Sequence, residues 1–122
     1  MATVSASKPP RQRVLVVDDE DIVRATTALA LERKGFDVIA VASGAEALAY
    51  LARDTPTLML LDLNMDDMSG WEVLSFVQTE PRLRTMRTVI VSGERATVPR
   101  RFGYMRKPFR IDALLEMLAA TI

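Results

Sequence analysis

Short apolar runs alternate with longer amphipathic stretches along most of the chain. Four runs are rich in Val, Ile and Leu and are short enough to be buried strands, and a fifth run, FGYMRK, is a weaker candidate. Four longer stretches have the residue pattern of helices. The predicted strands are residues 13–19, 37–43, 57–63, 87–93 and 102–107, and the predicted helices are residues 20–36, 44–54, 69–80 and 110–122.

The first predicted helix has apolar residues at helical spacing and a typical end signal. Ile22, Ala25 and Leu29 are spaced three and four residues apart, as on one face of a helix. Gly35 stands where a glycine ends many helices, because it adopts a left-handed backbone conformation easily. The pattern therefore predicts a helix within residues 20–36, with Gly35 as its end signal.

The second and third predicted helices have their own boundary signals. Ser43 precedes the second helix and Glu46 follows three residues later, which predicts a capping box. Pro81 ends the third helix, since proline lacks the backbone N–H that a helix interior needs. In that helix Trp71 is at helical spacing from Leu74, and we interpret Trp71 as a core residue.

The alternation of strands and helices predicts the fold class. Strands separated by helices favour a parallel sheet that is covered on both faces. Right-handed crossovers and short loops then favour an α/β fold with an open, doubly wound, five-stranded sheet. Ligands of such sheets bind beyond the carboxyl ends of the strands.

The connection before the fifth strand is unusually short. Nine residues separate Ser92 from Phe102, whereas a parallel crossover normally needs a dozen or more and usually contains a helix. Pro99 also argues against a complete helix there. We predict a loop or at most one helical turn, and the alternative is that the fifth strand is misplaced.

Acidic residues follow two of the predicted strands. Asp18 and Asp19 end the first strand, and Asp62 ends the apolar run of the third. Carboxylates brought together at one sheet edge repel one another unless a cation or a proton compensates them. Their oxygens suit Mg²⁺, and one of the acids could then act as a nucleophile towards phosphorus and form an aspartyl phosphate.

Two further strand ends carry residues that could bind a phosphoryl group. Ser92 ends the fourth strand and offers a hydroxyl, and Lys107 follows the fifth strand and offers a positive charge. Taken singly, Asp18 or Asp19 could be only a turn former or a helix N-cap. Ser92 with the following glycine is typical of a turn, and Lys107 before a proline is uninformative. Their joint position on successive strand ends is what indicates one shared pocket.

Composition limits the class of protein. A chain of 122 residues predicts one domain, over residues 13–122, after a flexible lead-in of residues 1–12. Histidine and cysteine are absent, which excludes a disulfide framework and a thiolate zinc site. No apolar run is long enough to cross a bilayer and the start does not resemble a secretory signal, so we expect no membrane association and a cytoplasmic location.

Charge is unevenly distributed although the net charge is zero. Residues 16–67 contain eleven acidic and four basic residues, whereas residues 80–110 contain nine basic and two acidic ones. The acidic part could hold a cation. We interpret the arginines of residues 82–110 as solvated surface residues, and we expect no direct binding of nucleic acid.

Four motifs together resemble the response-regulator receiver domains of two-component signalling. They are VLVVDDED, LLDLNMDDMSG, VIVSG and YMRKPF, and the resemblance extends from Arg13 to Ile122. It implies a flavodoxin-like sheet of strand order 2-1-3-4-5, with the helix between the fourth and fifth strands short or absent. It also implies a signalling domain rather than an enzyme, with a histidine kinase or a histidine phosphotransfer protein as phosphodonor and an unknown protein downstream.

The resemblance assigns roles to individual residues. It implies that Asp62 is the phosphoacceptor, that Asp19 binds Mg²⁺ directly and Asp18 largely through water, and that the backbone carbonyl of Asn64 is a further ligand. Ser92 and Lys107 match the residues that sense the phosphoryl group.

Positions around these residues match the parts of the family that respond to phosphorylation. Tyr104 matches the aromatic residue that moves inward on phosphorylation. Asn64 and Glu94 occupy the two variable positions that tune dephosphorylation. The family usually has a proline four residues after the acceptor, and here Asp66 takes that place.

Two other functions fit parts of the sequence. The short connection and the missing proline suit a receiver-like interaction module that no longer switches. A phosphatase of the haloacid dehalogenase type also uses an aspartate after an apolar strand, but it needs a second acid two residues on, where this chain has Asn64.

Overall fold

Five parallel strands form the sheet at the centre of the molecule. The computed structural model describes residues 12–94 and 97–120, with the backbone alone for residues 118–120. The sheet order is β2-β1-β3-β4-β5, and every neighbouring pair is parallel. This confirms the predicted α/β fold and its strand order. The strands are β1 (Arg13–Val17), β2 (Asp37–Val41), β3 (Leu58–Asp62), β4 (Arg87–Ser92) and β5 (Gly103–Arg106).

Helices cover both faces of this sheet. Among the described helices, none combines the length and apolar character that crossing a bilayer requires. A short 3₁₀ helix, Pro81–Thr85, directly precedes β4, in agreement with the predicted stop at Pro81. The α-helices are α1 (Asp21–Arg33), α2 (Gly44–Leu51), α3 (Gly70–Thr79) and α4 (Ile111–Ala120).

Two apolar cores lie on opposite faces of the sheet. Successive strand residues point to opposite faces, so Leu15 belongs to the core under α2 and α3 while Val16 belongs to the core under α1 and α4. Burial on both sides explains why β3 is an unbroken apolar run up to Asp62. The strands are thereby fixed in register, and so are the residues at their carboxyl ends.

The connection between β4 and β5 contains no helix in its described residues, 93–94 and 97–102. β5 pairs with β4 from Val89 opposite Gly103 to Ser92 opposite Arg106. The prediction of a loop is therefore confirmed for these residues, and the alternative that the fifth strand is misplaced is wrong. The predicted lead-in, apart from Gln12, lies outside the described residues.

Helix α1 buries a different face from the one that its apolar residues indicated. Ile22 is 81% exposed, Leu29 is 49% exposed and Ala25 is also exposed. Thr27 and Leu31, four residues apart, are the buried residues of this helix. A pattern limited to apolar residues gives no weight to Thr27, which is polar but small enough to pack, and so it selected the wrong face.

The interpretation of Trp71 as a core residue is wrong, since its side chain is 41% exposed. Helix α3 packs on the sheet through Val73, Leu74 and Val77, which are almost completely buried. Trp71 is two residues from Val73, or about 200° around the helix, and therefore points away from the sheet.

The predicted end signal of α1 and the predicted start of α2 are confirmed, whereas α2 ends at Leu51, three residues earlier than predicted. Gly35 has a positive φ of 98°, and its N–H donates to the carbonyl of Glu32 at the end of α1. Ser43 caps α2 by accepting from the N–H of Glu46 at 3.1 Å. The Glu46 carboxylate accepts from the N–H of Ala42 rather than of Ser43, so the reciprocal bond of the capping box is displaced by one residue.

Candidate functional site

The carboxyl ends of four strands bring the predicted site residues to one edge of the sheet. Asp18 follows β1, Asp62 ends β3, Ser92 ends β4 and Lys107 follows β5. Asp18, Asp62 and Ser92 are each at most 5% exposed. The N–H of Lys107 donates to the carbonyl of Ser92 at 2.8 Å, which continues the β4–β5 pairing up to the site. The Lys107–Pro108 peptide bond is cis.

The ammonium group of Lys107 lies among three carboxylates. Its Nζ atom is 2.8 Å from Asp18 Oδ2, 3.1 Å from Glu20 Oε1 and 3.4 Å from Asp62 Oδ2. Burial lowers the pKa of Lys107, but hydrogen bonds to Asp18 and Glu20 outweigh this and hold the pKa above its usual range. Lys107 is therefore charged at neutral pH and compensates part of the negative charge.

Asp62 remains in an unfavourable environment for a carboxylate. Burial raises its pKa above the usual range, and the negative charge of Asp18 acts in the same direction. The N–H of Asn64, 3.2 Å from Asp62 Oδ1, and the charge of Lys107 act against this but do not cancel it. The carboxylates at this edge of the sheet would therefore be stabilised by additional positive charge.

Asp18, Glu20 and Asp62 have the geometry of a possible metal site. One carboxylate oxygen from each lies within 4.8 Å of the others. Oxygen ligands at this density suit Mg²⁺, which is commonly held by one or two carboxylates and completes its shell with water. The residues that the structure describes here thus fit a magnesium ion.

Glu20 is the member of this group that the sequence did not single out. Asp18 Oδ1 accepts from the N–H of Glu20 at 2.9 Å, which turns the chain after β1 so that the Glu20 carboxylate meets Lys107. The available signal was the uninterrupted acidic run from Asp18 to Asp21. Asp19, predicted as a direct ligand, is not part of the three-carboxylate group.

The loop after β3 explains the other acids of this region. Asp19 Oδ2 accepts from the N–H of Asp66 at 3.0 Å, so it holds the loop that follows Asp62. Asp67 accepts from the N–H groups of Gly44 and Ala45 at 3.0 and 2.9 Å, at the start of α2. Asp67 is therefore a helix cap supplied by a distant loop.

The start of helix α3 lies directly against Asp62 and Leu63. The N–H of Gly70 donates to the carbonyl of Leu63 at 2.8 Å. A Cβ atom at Gly70 would stand 2.4 Å from the Asp62 carbonyl oxygen and 2.8 Å from the Leu63 Cα. Only glycine allows this approach, so Gly70 determines how closely α3 packs on the end of β3.

Ser92 and Tyr104 are joined through the backbone of Glu94. The Ser92 hydroxyl accepts from the N–H of Glu94 at 3.1 Å, and the Tyr104 hydroxyl donates to the carbonyl of Glu94 at 2.6 Å. Tyr104 is half-buried and packs against the core under α2 and α3. A displacement of the Ser92 hydroxyl would therefore be transmitted to the residue that holds Tyr104.

Comparison with known proteins agrees with this arrangement. The family model described as the response regulator receiver domain matches residues 14–119. The chain belongs to the response regulator receiver domain family. It is the phosphoacceptor domain of two-component response regulators, and the alternative of a non-switching receiver-like module is not favoured.

Three relatives illustrate the likeness of this receiver domain. A probable transcriptional regulatory protein, TcrX of Mycobacterium tuberculosis, is 31% identical over 89% of the chain, which spans about half of that protein's length. A CheY-like receiver domain from Methylobacillus flagellatus superposes with a TM-score of 0.80, at 28% identity and with 91% and 98% of the two chains covered. The response regulator TrrA of Thermotoga maritima, solved with Mg²⁺ and BeF, has a TM-score of 0.79 at 25% identity, over 91% and 99% of the chains.

Proposed function

We propose that Asp62 accepts a phosphoryl group from a phosphohistidine of a histidine kinase or phosphotransfer protein. The observation that carries this proposal is the position of the Asp62 carboxylate, which is buried at the strand edge and within 3.4 Å of Lys107 Nζ. A carboxylate oxygen of Asp62 forms the new bond to phosphorus while the nitrogen–phosphorus bond of the donor breaks. The leaving imidazole keeps the electron pair of that bond and takes up a proton.

Asp18 and Asp62 would hold a magnesium ion, with Asp19, Glu20 and the carbonyl of Asn64 as further candidate ligands. The three-carboxylate group and the raised pKa of Asp62 support this assignment. When bound, the ion neutralises charge on the carboxylates and on the transferred group. Glu20 is a candidate because one of its carboxylate oxygens lies within 4.8 Å of oxygens of Asp18 and Asp62, and Asp19 is a candidate through the family motif.

Ser92 and Lys107 bind the transferred group after the reaction. Lys107 is already held at the site by Asp18 and can contact a phosphoryl oxygen as a point charge. The hydroxyl of Ser92 accepts a hydrogen bond from Glu94, so its own hydrogen is available to donate to the phosphoryl group. Movement of Ser92 towards that group alters the Glu94 contact of Tyr104, which makes Tyr104 the switch residue.

The donor would dock beside Lys107, in a groove between α1 and the segment that follows β5. This groove has a volume of about 580 Å³ and is lined mainly by apolar groups, among them Ile22, Val23, Pro108 and Phe109. The exposure of Ile22, which contributes nothing to the core, is consistent with a contact surface. A cytoplasmic location of the exchange is part of the same proposal.

Phosphorylation by a small phosphodonor tests the assignment of Asp62. The purified chain is incubated with acetyl phosphate and Mg²⁺, and intact mass is measured. We expect an increase of one phosphoryl group in the wild type and in the control Asp66→Asn, and no increase in Asp62→Asn. Equal labelling of Asp62→Asn would contradict the proposal.

NMR spectra of Tyr104 test whether the domain responds to phosphorylation. They distinguish a domain that switches from one that is phosphorylated without a change at Tyr104. Beryllofluoride with Mg²⁺ is added as a phosphoryl mimic, and the ring resonances of Tyr104 are followed by NMR. We expect a shift in the wild type that is absent in Ser92→Ala, whose side chain cannot donate to the mimic. An unchanged Tyr104 in a wild type that binds the mimic would support the non-switching module.

A further inference from the structure

A second cavity lies at the opposite end of the sheet from Asp62. It has a volume of about 440 Å³ and lies between the amino ends of β4 and β5, next to the 3₁₀ helix. Among the residues that the structure describes, no acidic side chain lines it. Four of its lining residues are arginines, and they all come from the basic part of the chain: Arg84, Arg87, Arg100 and Arg101.

Some arginines elsewhere in the described chain have a carboxylate partner. Arg13 pairs with Asp54 at 2.6 Å and Arg24 with Asp21 at 2.7 Å. Within the described residues, Arg84 and Arg100 have neither a salt bridge nor a hydrogen bond from the side chain, and both are exposed. The positive charge of this cavity is therefore not fully compensated by the protein.

Two other features of the cavity wall point to a ligand. Thr88 is only 4% exposed, and its hydroxyl oxygen has no hydrogen-bond partner among the described residues. A buried hydroxyl without a partner is unfavourable, so its presence on this wall calls for an explanation. The guanidinium of Arg101 lies over the ring of Phe102, 4.9 Å from its centre, which leaves a flat cationic surface at the cavity.

We propose that this cavity binds a small organic phosphate of the nucleotide class. Guanidinium groups bind phosphate oxygens through paired hydrogen bonds, and they also stack on planar rings. The volume lies in the range of small-molecule sites. Met86, Val89 and Met117 supply an apolar wall for the part of the ligand that carries no charge.

The distribution of the remaining basic residues favours a small molecule over a nucleic acid. Arg82 donates to the backbone carbonyls of Leu51 and Asp54, Lys107 is held by the acidic site, and Arg110 faces Asp112 at 3.8 Å. Apart from Arg106 at the carboxyl end of β5, the described residues of the basic part of the chain that are themselves basic and lack a carboxylate or carbonyl partner lie around this one cavity. A surface that follows a nucleic-acid backbone would need such residues spread along a stripe.

Titration of the full chain with GTP, in EDTA without Mg²⁺, tests this proposal. Calorimetry should detect one site, and Arg84→Ala combined with Arg100→Ala should weaken binding about tenfold or more. Arg33→Ala, which removes an exposed arginine from α1, is the matched control and should bind as the wild type does. Asp62→Asn should also bind normally, because the acceptor lies at the other end of the sheet.

The alternative ligands give different results in the same titration. Absence of GTP binding, or equal binding by the double variant, overturns the proposal. If inorganic phosphate binds as tightly as GTP, the nucleoside part of the ligand contributes nothing, and the assignment to the nucleotide class is overturned. Tighter binding of a short single-stranded DNA than of GTP overturns the small-molecule class and would mark the four arginines as a nucleic-acid contact.

Discussion

The Nζ atom of Lys107 lies closer to Asp18 than to Asp62, at 2.8 Å from one carboxylate and 3.4 Å from the other. The lysine is thus anchored by a residue other than the acceptor, and Glu20 at 3.1 Å reinforces this. A divalent ion bound to the same carboxylates would compete with Lys107 for them. Lys107 is consequently placed to exchange its carboxylate contacts for contacts with a phosphoryl group.

Removal of the Lys107 ammonium should destabilise the magnesium-free protein. Lys107→Ala leaves the buried acids of the site without their cation, and we expect the free energy of unfolding to fall by about 2 kcal/mol. Urea denaturation in EDTA measures this loss, and added Mg²⁺ should reverse part of it. Arg106→Ala removes the preceding, exposed cation and serves as the control. A variant as stable as this control would show that Lys107 does not neutralise the site.

Neutralisation of Asp62 should have the opposite effect. The raised pKa of Asp62, caused mainly by burial, means that folding disfavours the charged carboxylate relative to the unfolded chain. Asp62→Asn should therefore be more stable than the wild type in EDTA at neutral pH, by about 1 kcal/mol.

The pH dependence of this difference follows from the same shift. The wild type regains stability as the pH is lowered through the pKa of folded Asp62, whereas the variant has no such group, so the advantage of the variant should shrink at acidic pH. Denaturation midpoints from pH 4 to about 8 measure the trend, with Glu32→Gln on the exposed side of α1 as the control. An advantage that grows on acidification would refute the assigned direction.

Asp67 should stabilise helix α2 from outside it. Its carboxylate accepts from the N–H groups of Ala45 and Gly44, and these bonds lower its pKa. Asp67→Ala should lower the melting temperature, and the part of the stability that depends on the Asp67 charge should be lost as the pH falls through its lowered pKa. Asp66→Ala, at the neighbouring exposed position, should change the melting temperature much less. Equal effects of both substitutions would contradict the capping role.

Local sequence signals located the strand ends, and the strand ends determined most of the site. Asp18, Asp62, Ser92 and Lys107 could be predicted because parallel strands all end at the same edge, so their position along the chain fixes their position in space. The short connection before β5 could be predicted by counting residues.

Contacts between distant parts of the chain could not be predicted in this way. Asp67 caps a helix that begins 23 residues earlier, and no local pattern specifies that pairing. The buried face of α1 was missed because Thr27 is polar, and the four-arginine cavity was missed because its residues come from two separate segments. Such features depend on how the elements pack rather than on the sequence of any one of them.

Gly70 should control the packing of α3 against the acceptor. In Gly70→Ala the added Cβ would stand 2.4 Å from the Asp62 carbonyl oxygen, a contact that the backbone can relieve only by shifting α3 or the end of β3. We expect the free energy of unfolding to fall by about 2 kcal/mol and phosphorylation by acetyl phosphate to slow, since Asp62 moves with its backbone. Gly93→Ala is a matched control, because a Cβ atom there meets nothing within 4 Å and Gly93 directly follows Ser92. If Gly70→Ala were as stable and as rapidly phosphorylated as Gly93→Ala, the close approach of α3 to Asp62 would have no role in positioning the acceptor.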